Sequence, residues 1–206
     1  MEQLRRISLL AGLLGIVLAM PAVSRDDQKE PVATSPQEVI RASNQDILDV
    51  YATGEEGPEI NAKVFAFMDA VTSFTSIAAS TIDGFCADPG DDECRAFKDV
   101  FVRLLRVSSI KKLGRYRADS FEYLAESIEG DTAEVKTIAR YGDDDIELDY
   151  YLHAHNEGWV IVNYVVDGID TIKNYRKQFS RMLGRSSIVS VTERLAKRVK
   201  DMESET

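Results

Sequence analysis

A strand that ends in a glycine corner and continues as an amphipathic helix, between Trp159 and Leu183, constrains the fold more than any other stretch. Residues Trp159–Asp167 are a run of β-branched and aromatic residues, which predicts a strand buried on both faces. Gly168 allows the backbone to turn without a clash at Cβ, and Asp170 can cap a helix by accepting a backbone N–H. Beyond the cap the apolar residues follow a helical period, so the strand leads into a helix whose apolar face is Ile172, Tyr175, Phe179, Met182 and Leu183.

The residues before this stretch alternate between polar and apolar, and a period of two predicts strands. Short turns that contain Gly separate them, and connections this short allow only antiparallel pairing. The four predicted strands of this meander are Phe121–Ile128, Thr132–Tyr141, Ile146–His155 and Trp159–Asp167. In the third strand one face carries Ile146, Leu148, Tyr150 and Leu152, and the other carries Glu147, Asp149, Tyr151 and His153.

Helical periodicity predicts further helices on both sides of the strand region. Ser35 and Glu38 flank Pro36 as a capping box, which predicts a helix that stops before Gly54. A second helix is predicted from about Glu59 to Ser80, a third from about Glu93 to Ser109, and a last one that carries Ile188, Val191, Leu195, Val199 and Met202. The predicted fold is a single α+β domain, residues 35–202 with a tail at 203–206, whose helices pack against one curved antiparallel sheet.

The first 24 residues have the pattern of a cleaved export signal. Arg5 and Arg6 precede the apolar run Ile7–Met20, and Ala22 and Ser24 make a small-residue cleavage site. An uncleaved anchor is the alternative, although the apolar run is short for a membrane span. Residues 25–34 are polar and predict a flexible leader, so we expect an exported protein of the bacterial periplasm.

The charge balance excludes some classes of partner. The formal net charge is −10, which argues against nucleic-acid binding and against indiscriminate adhesion to anionic membranes. One segment runs against this balance, with six basic residues and no acid among them: Arg103, Arg106, Lys111, Lys112, Arg115 and Arg117. These residues predict either a solvated helix face balanced by acids elsewhere or a surface for lipid phosphate or an acidic partner.

Cys86 and Cys94 are the two cysteines of the chain, and they bracket a Pro-Gly turn. In an oxidising compartment such a pair predicts a disulfide. A metal site built from these cysteines and the acids between them is the alternative, but the spacing matches no common zinc pattern.

Catalytic chemistry has little support in the sequence. His153 and His155 share one strand face and could ligate a metal, although a solvated pair is the ordinary interpretation. The acids at 143–145 lack a full calcium loop and predict a hairpin turn. No nucleophile motif and no Gly-rich phosphate loop is present, so no cofactor and no metal are predicted.

The strand–corner–helix stretch resembles the MlaC family, also called the toluene-tolerance family, of periplasmic phospholipid-binding proteins. The residues that carry the resemblance are Trp159, Asp167, Gly168, Asn174, Tyr175, Arg176, Gln178 and Phe179. The family usually has Ser two residues after the glycine, where this chain has Asp170. Both residues cap helices, so the geometry is expected to survive. The resemblance extends more weakly back to about Phe65.

This resemblance implies a sheet like that of the nuclear-transport-factor-2 or cystatin folds, with a deep apolar pocket between sheet and helices. It implies a carrier that shuttles a phospholipid between an outer-membrane lipoprotein–porin complex and an inner-membrane ABC transporter with an MCE-domain ring, and so maintains outer-membrane asymmetry. A hopanoid carrier, a small periplasmic enzyme on the same sheet type and a structural adaptor are the alternatives. The chain is expected to be monomeric and not an enzyme.

Apolar residues on the predicted faces are the candidate pocket wall, although each stripe also fits an ordinary solid core. The candidate lipid-binding residues are Met68, Val71, Phe74, Phe97, Phe101, Leu104, Leu105, Leu148, Tyr150, Leu152, Val162, Tyr164, Val166, Ile172, Tyr175 and Phe179. Arg176 is the candidate for the pocket mouth or for an ion pair with Asp167.

Overall fold

The computed structural model describes residues 35–204 except Ala87, Pro89, Tyr116 and Glu157, and the side chain of Arg115 is also outside the description. The predicted export signal and leader, residues 1–34, therefore lie outside the described residues. The described helices are α1 Pro36–Ala52, α2 Pro58–Val71, α3 Phe74–Ile82, α4 Asp92–Arg115, α5 Thr171–Leu183 and α6 Ile188–Glu203. The described strands are β1 Ser120–Glu129, β2 Thr132–Tyr141, β3 Asp144–His155, β4 Gly158–Val166 and β5 Ile169–Asp170.

The predicted capping box at the start of α1 is confirmed. The Ser35 hydroxyl accepts from the Glu38 amide at 3.2 Å, and the Glu38 carboxylate accepts from the Ser35 amide at 2.9 Å. Each bond satisfies an N–H that the helix leaves without a partner. The helix ends at Ala52, just before the predicted stop.

The prediction of one helix from Glu59 to Ser80 is wrong, because the backbone leaves helical geometry at Thr72. Thr72 is extended, with φ −118° and ψ 124°, and it bridges Ile161 of β4. The Ser73 amide donates to the Ile161 carbonyl at 2.9 Å. The Ser73 side chain then caps α3 by accepting from the Ser76 amide. The third predicted helix, in contrast, was too short, since α4 continues to Arg115.

The sheet is an antiparallel meander in the order β1-β2-β3-β4-β5, one strand more than predicted. The extra strand follows a two-residue turn in which Asp167 and Gly168 have φ of 48° and 73°. Positive φ at both positions is the geometry of a type I′ hairpin, and it pairs Val166 with Ile169. Asp170 then caps α5, as predicted, by accepting from the Lys173 amide at 2.8 Å.

Two clusters of buried side chains hold the helices and the sheet together. The larger cluster joins all six described helices, and in it the Phe179 ring centroid lies 5.0 Å from that of Phe97 and 4.8 Å from that of Phe101. These rings meet edge to face, the arrangement that aromatic pairs prefer. The smaller cluster lies against the sheet and includes Ile40, Leu152 and Trp159.

The predicted disulfide is present, with Cys86 and Cys94 joined at Cα atoms 6.0 Å apart. Three of the six residues in the basic segment from Arg103 to Arg117 pair with acids from other elements, so part of this charge is balanced within the fold. Arg103 pairs with Glu203, Arg106 with Asp69 and Arg117 with Glu56. In the described part of the chain, no helix has both the length and the hydropathy to cross a membrane.

Candidate functional site

A cavity of about 570 Å³ lies between the inner face of the sheet and helices α1 to α5. Its size falls in the range of about 300–1,000 Å³ that is typical of ligand pockets. Apolar side chains make up most of its wall, and every strand from β1 to β4 contributes to it. We call this space the cavity below.

Nine of the sixteen candidate wall residues line the cavity. They come from α2, α3, α4, α5 and two strands: Met68, Val71, Phe74, Leu105, Leu148, Tyr150, Tyr164, Val166 and Tyr175. The face of β3 that carries Ile146, Leu148 and Tyr150 is therefore the cavity face. Whether these residues contact lipid remains a prediction.

The structure places the other seven candidates away from the cavity. Phe97, Phe101, Leu104 and Phe179 fill the core between the helices, and Ile172 packs against that cluster. Leu152 is buried in the smaller cluster on the sheet. Val162 lies at a β-bulge, because Tyr151 pairs with Asn163 while the next residue of β3 pairs with Ile161. The extra residue shifts the alternation, so Ile161 points to the cavity where Val162 was expected.

Sequence reasoning missed the contributions of α1 and of the last turns of α4. Helix α1 supplies Ile40, Ser43, Asn44 and Ile47, and α4 supplies Ser108, Ser109, Lys112 and Leu113. The apolar positions of α1 were visible as a helical stripe, but nothing in their spacing distinguished a cavity wall from a core. The end of α4 was missed because that helix was predicted to stop at Ser109.

Polar groups in the cavity wall satisfy one another. The Tyr150 hydroxyl donates to the Asn44 side-chain oxygen at 3.2 Å, and the Asn44 amide donates to the Tyr123 hydroxyl at 3.2 Å. The hydroxyls of Thr72 and Tyr164 share a hydrogen bond of 2.6 Å. Burial raises the pKa of Tyr150 and of Tyr164 far above the ordinary value. These hydroxyls therefore stay neutral, and the wall presents no charge at this depth.

Charged side chains lie at the end of the cavity formed by the β2–β3 turn, the β4–β5 turn and the end of α4. We call this set the acidic rim. It consists of the carboxylates Asp144, Asp145 and Asp167 and one cation, Lys112. Arg140 pairs with Asp145 from the neighbouring strand. The Asp167 carboxylate accepts from the Glu147 amide at 3.0 Å, which holds it against β3.

The prediction for Arg176 is wrong in both of its forms, because this side chain neither lines the cavity nor pairs with Asp167. Its guanidinium donates to the Ser80 carbonyl at 2.8 Å and to the Thr81 carbonyl at 3.4 Å. These groups lie at the C-terminal end of α3, where a cation is favourable. Arg176 also lies over the Phe85 ring at 5.5 Å, so it fastens α5 to α3.

The remaining motif residues have structural positions. Trp159 is buried in the smaller cluster, Asn174 is exposed and Gln178 is half-buried on α5. His153 and His155 are exposed on the outer face of β3. Among the described residues, no three His, Cys, Asp or Glu side chains are close enough together to hold a metal ion.

Together, the fold and the site define an α+β protein with an apolar cavity between an antiparallel sheet and a layer of helices. The sequence pattern of the MlaC protein family matches residues 41–197. The chain belongs to this family, and the resemblance seen in the strand–corner–helix stretch is confirmed.

Among solved structures, the chain is similar to the phospholipid-binding protein from Ralstonia solanacearum, whose structure is in complex with a phospholipid. The TM-score is 0.65 at 18% sequence identity, and the match covers 81% of this chain and 98% of that chain. At this identity the likeness establishes the fold alone. No curated protein matches this chain in sequence.

Proposed function

We propose that this protein is a phospholipid carrier that holds the acyl chains in the cavity and leaves the head group outside it. The observation that carries the proposal is the cavity itself, with its mostly apolar wall and its internally satisfied polar groups. Each methylene removed from water contributes about 0.8 kcal/mol, so an apolar wall suffices to hold a two-chain lipid. Membership of the MlaC family and the phospholipid bound to a protein of the same fold support this ligand class.

The proposed setting is the periplasm, reached through the export signal of residues 1–24. There the carrier, as a monomer, passes lipid between an outer-membrane lipoprotein–porin complex and an inner-membrane MCE-domain ABC transporter, and so maintains outer-membrane asymmetry. A carrier needs no catalytic group, because its partners determine the direction of transfer. What supports this setting is the N-terminal sequence pattern together with the family.

The first test asks what the purified protein contains. An organic extract analysed by mass spectrometry is expected to yield lipid near one molecule per chain, with phospholipid as the main species. A hopanoid in that extract would change the ligand class and leave the carrier role standing. An extract without lipid, from protein that also fails to take lipid from vesicles, would contradict the proposal and favour an enzyme or an adaptor.

A second test places a carboxylate in the cavity wall by Val71→Glu or Leu105→Glu. In an empty cavity the new charge can be hydrated. Bound acyl chains would exclude that water and leave the charge in apolar surroundings, which costs free energy. We expect the fold to survive while the lipid recovered with the protein falls at least tenfold.

The matched controls for that test are Val199→Glu and Leu195→Glu, whose side chains are buried in the core and do not line the cavity. A charge without a partner at these positions is expected to unfold the protein. If the wall variants and the core variants unfold alike, the wall is ordinary core and the carrier proposal fails.

A further inference from the structure

A second concavity adjoins the cavity on the side of α1. It lies between α1, the start of β1 and the residues that precede β1, and its volume is about 650 Å³. Asn44, Ala118 and Phe121 line both spaces. The two are therefore neighbours across a shared boundary, and we call the second space the arginine groove, after Arg41 and Arg117 in its wall.

Both arginines are held by aromatic rings in a way that leaves donors available. Arg41 lies over the Tyr123 ring at 3.9 Å, and among the described residues it has no ion pair. A guanidinium stacked by its face keeps the N–H groups of its edge for a ligand. Arg117 lies over the Tyr51 ring at 4.9 Å and pairs with Glu56, whose side chain is 74% exposed. Such an exposed pair is weak and can be exchanged for another anion.

Tyr51 lines the same groove. Its hydroxyl oxygen is buried and has no hydrogen-bond partner among the described residues. Burial raises the pKa of Tyr51, and the nearby Arg117 lowers it in part, so the hydroxyl remains a neutral donor near pH 7. A buried donor without an acceptor costs free energy, and an anionic oxygen in the groove would satisfy it.

Two acids also line the groove, Asp49 and Asp119, and each accepts a hydrogen bond from a neutral donor. The Asp49 carboxylate accepts from the Gln45 side chain at 2.7 Å, and Asp119 accepts from the Gly142 amide at 2.8 Å. The acidic rim presents three aspartates and one lysine to the cavity, and it adjoins the groove, because the Gly142 amide of the β2–β3 turn donates to Asp119. An anionic head group is repelled there and attracted by the arginines.

We propose that the arginine groove is the subsite for the phosphodiester of the bound lipid, with Arg41 and Arg117 as its cationic ligands and Tyr51 as a neutral donor. The acyl chains enter the cavity past the shared boundary of Asn44 and Phe121. This inference rests on the proposed carrier function and adds the position and chemistry of its head-group site.

The test compares two lipids that share their acyl chains and differ in the phosphate. Delipidated protein is incubated with vesicles that contain dipalmitoylphosphatidylglycerol and dipalmitoylglycerol in equal amounts, and the loaded species are counted by native mass spectrometry. The parent is expected to prefer the phospholipid. Arg41→Gln and Arg117→Gln are each expected to lower that preference about two- to fivefold, as for exposed charge pairs, without loss of diacylglycerol loading.

Two controls separate the groove from other basic residues. Arg103→Gln removes an arginine that pairs with Glu203 outside both spaces, and it is expected to keep the parental preference. Lys112→Gln removes the cation of the acidic rim and tests that rim as the competing position for the head group. If Lys112→Gln lowers the preference and Arg41→Gln does not, the head group lies at the acidic rim and the inference is overturned.

Two further outcomes would also contradict this inference, and they differ in whether the carrier function is contradicted as well. If the parent loads both lipids and the arginine variants have the same preference as the parent, the proposed subsite is excluded and the carrier function still stands. A parent that loads neither lipid eliminates the carrier as well. Should Arg117→Gln lower the melting temperature, Arg41→Gln alone decides, because Arg41 is exposed and stabilises no ion pair among the described residues.

Discussion

The core between α3, α4, α5 and α6 and the cavity beside it are built from the same kinds of side chain, yet one is filled and the other is hollow. In the core, Phe101 contacts Phe179 and Tyr175 edge to face, with centroids 4.8 and 5.0 Å apart. Beside it, apolar side chains of the helices and of the sheet surround a space of about 570 Å³. Hydrophobicity therefore decides that a side chain turns inward, while the spacing of the elements decides whether it finds a neighbour.

The largest expected effect contrasts two buried phenylalanines, one on each side of this difference. Phe101→Ala empties a filled site and is expected to lower the free energy of unfolding by about 3–5 kcal/mol. Phe74 is buried in the core cluster but also lines the cavity, so Phe74→Ala extends a space that already exists. Its loss is expected to be at least 1 kcal/mol smaller. Urea denaturation of delipidated protein measures both, and equal losses would mean that the cavity is filled.

Removal of the disulfide is the next effect in size, and it tests whether the two regions are independent. The bond joins the segment after α3 to the start of α4, outside the cavity wall. Replacing Cys86 and Cys94 by Ser is expected to lower the free energy of unfolding by about 2–3 kcal/mol and to leave lipid loading unchanged.

The oxidation state of these cysteines is measured by mass before and after reduction, with alkylation of free thiols. Protein freshly isolated from the periplasm is expected to carry the bond, because that compartment is oxidising. Two free thiols there would refute this expectation, and a loss of lipid loading in the Ser variant would show that the regions are coupled.

The smallest expected effect concerns the turn at the edge of the cavity. Gly168 has φ +73°, and a Cβ added there would meet no atom within 4 Å. The cost of Gly168→Val is therefore backbone strain, about 1–3 kcal/mol. Gly168→Asn is the matched control, since Asn tolerates positive φ. Thermal melting distinguishes them, and a Val variant that melts like the Asn variant would remove conformational strain as the explanation.

Local signals in the sequence sufficed for much of the fold. The caps at Ser35 and Asp170, the meander and the positive φ at Gly168 each depend on a few neighbouring residues. The extra strand was also within reach, because Asp-Gly between apolar residues is a strong hairpin signal. It was interpreted as a corner that leads directly into the helix.

The site was harder to predict from the sequence, because its geometry is set by contacts between distant parts of the chain. The bulge that turns Ile161 inward in place of Val162 depends on the register with β3. The partners of Arg176 exist only because α3 ends beside α5. A helical stripe looks the same whether it faces a ring or an empty space, so five candidates on α4 and α5 were assigned to the cavity although they lie in the core.

The bond from the Ser73 amide to the Ile161 carbonyl has a consequence for how the protein can be observed. It joins the turn between α2 and α3 to the sheet at 2.9 Å. Exchange of this one amide hydrogen with solvent requires the bond to break, so the turn between α2 and α3 must move away from β4. The protection of the Ser73 amide against hydrogen exchange therefore reports how often this turn leaves the sheet, and it can be measured with the cavity empty or filled.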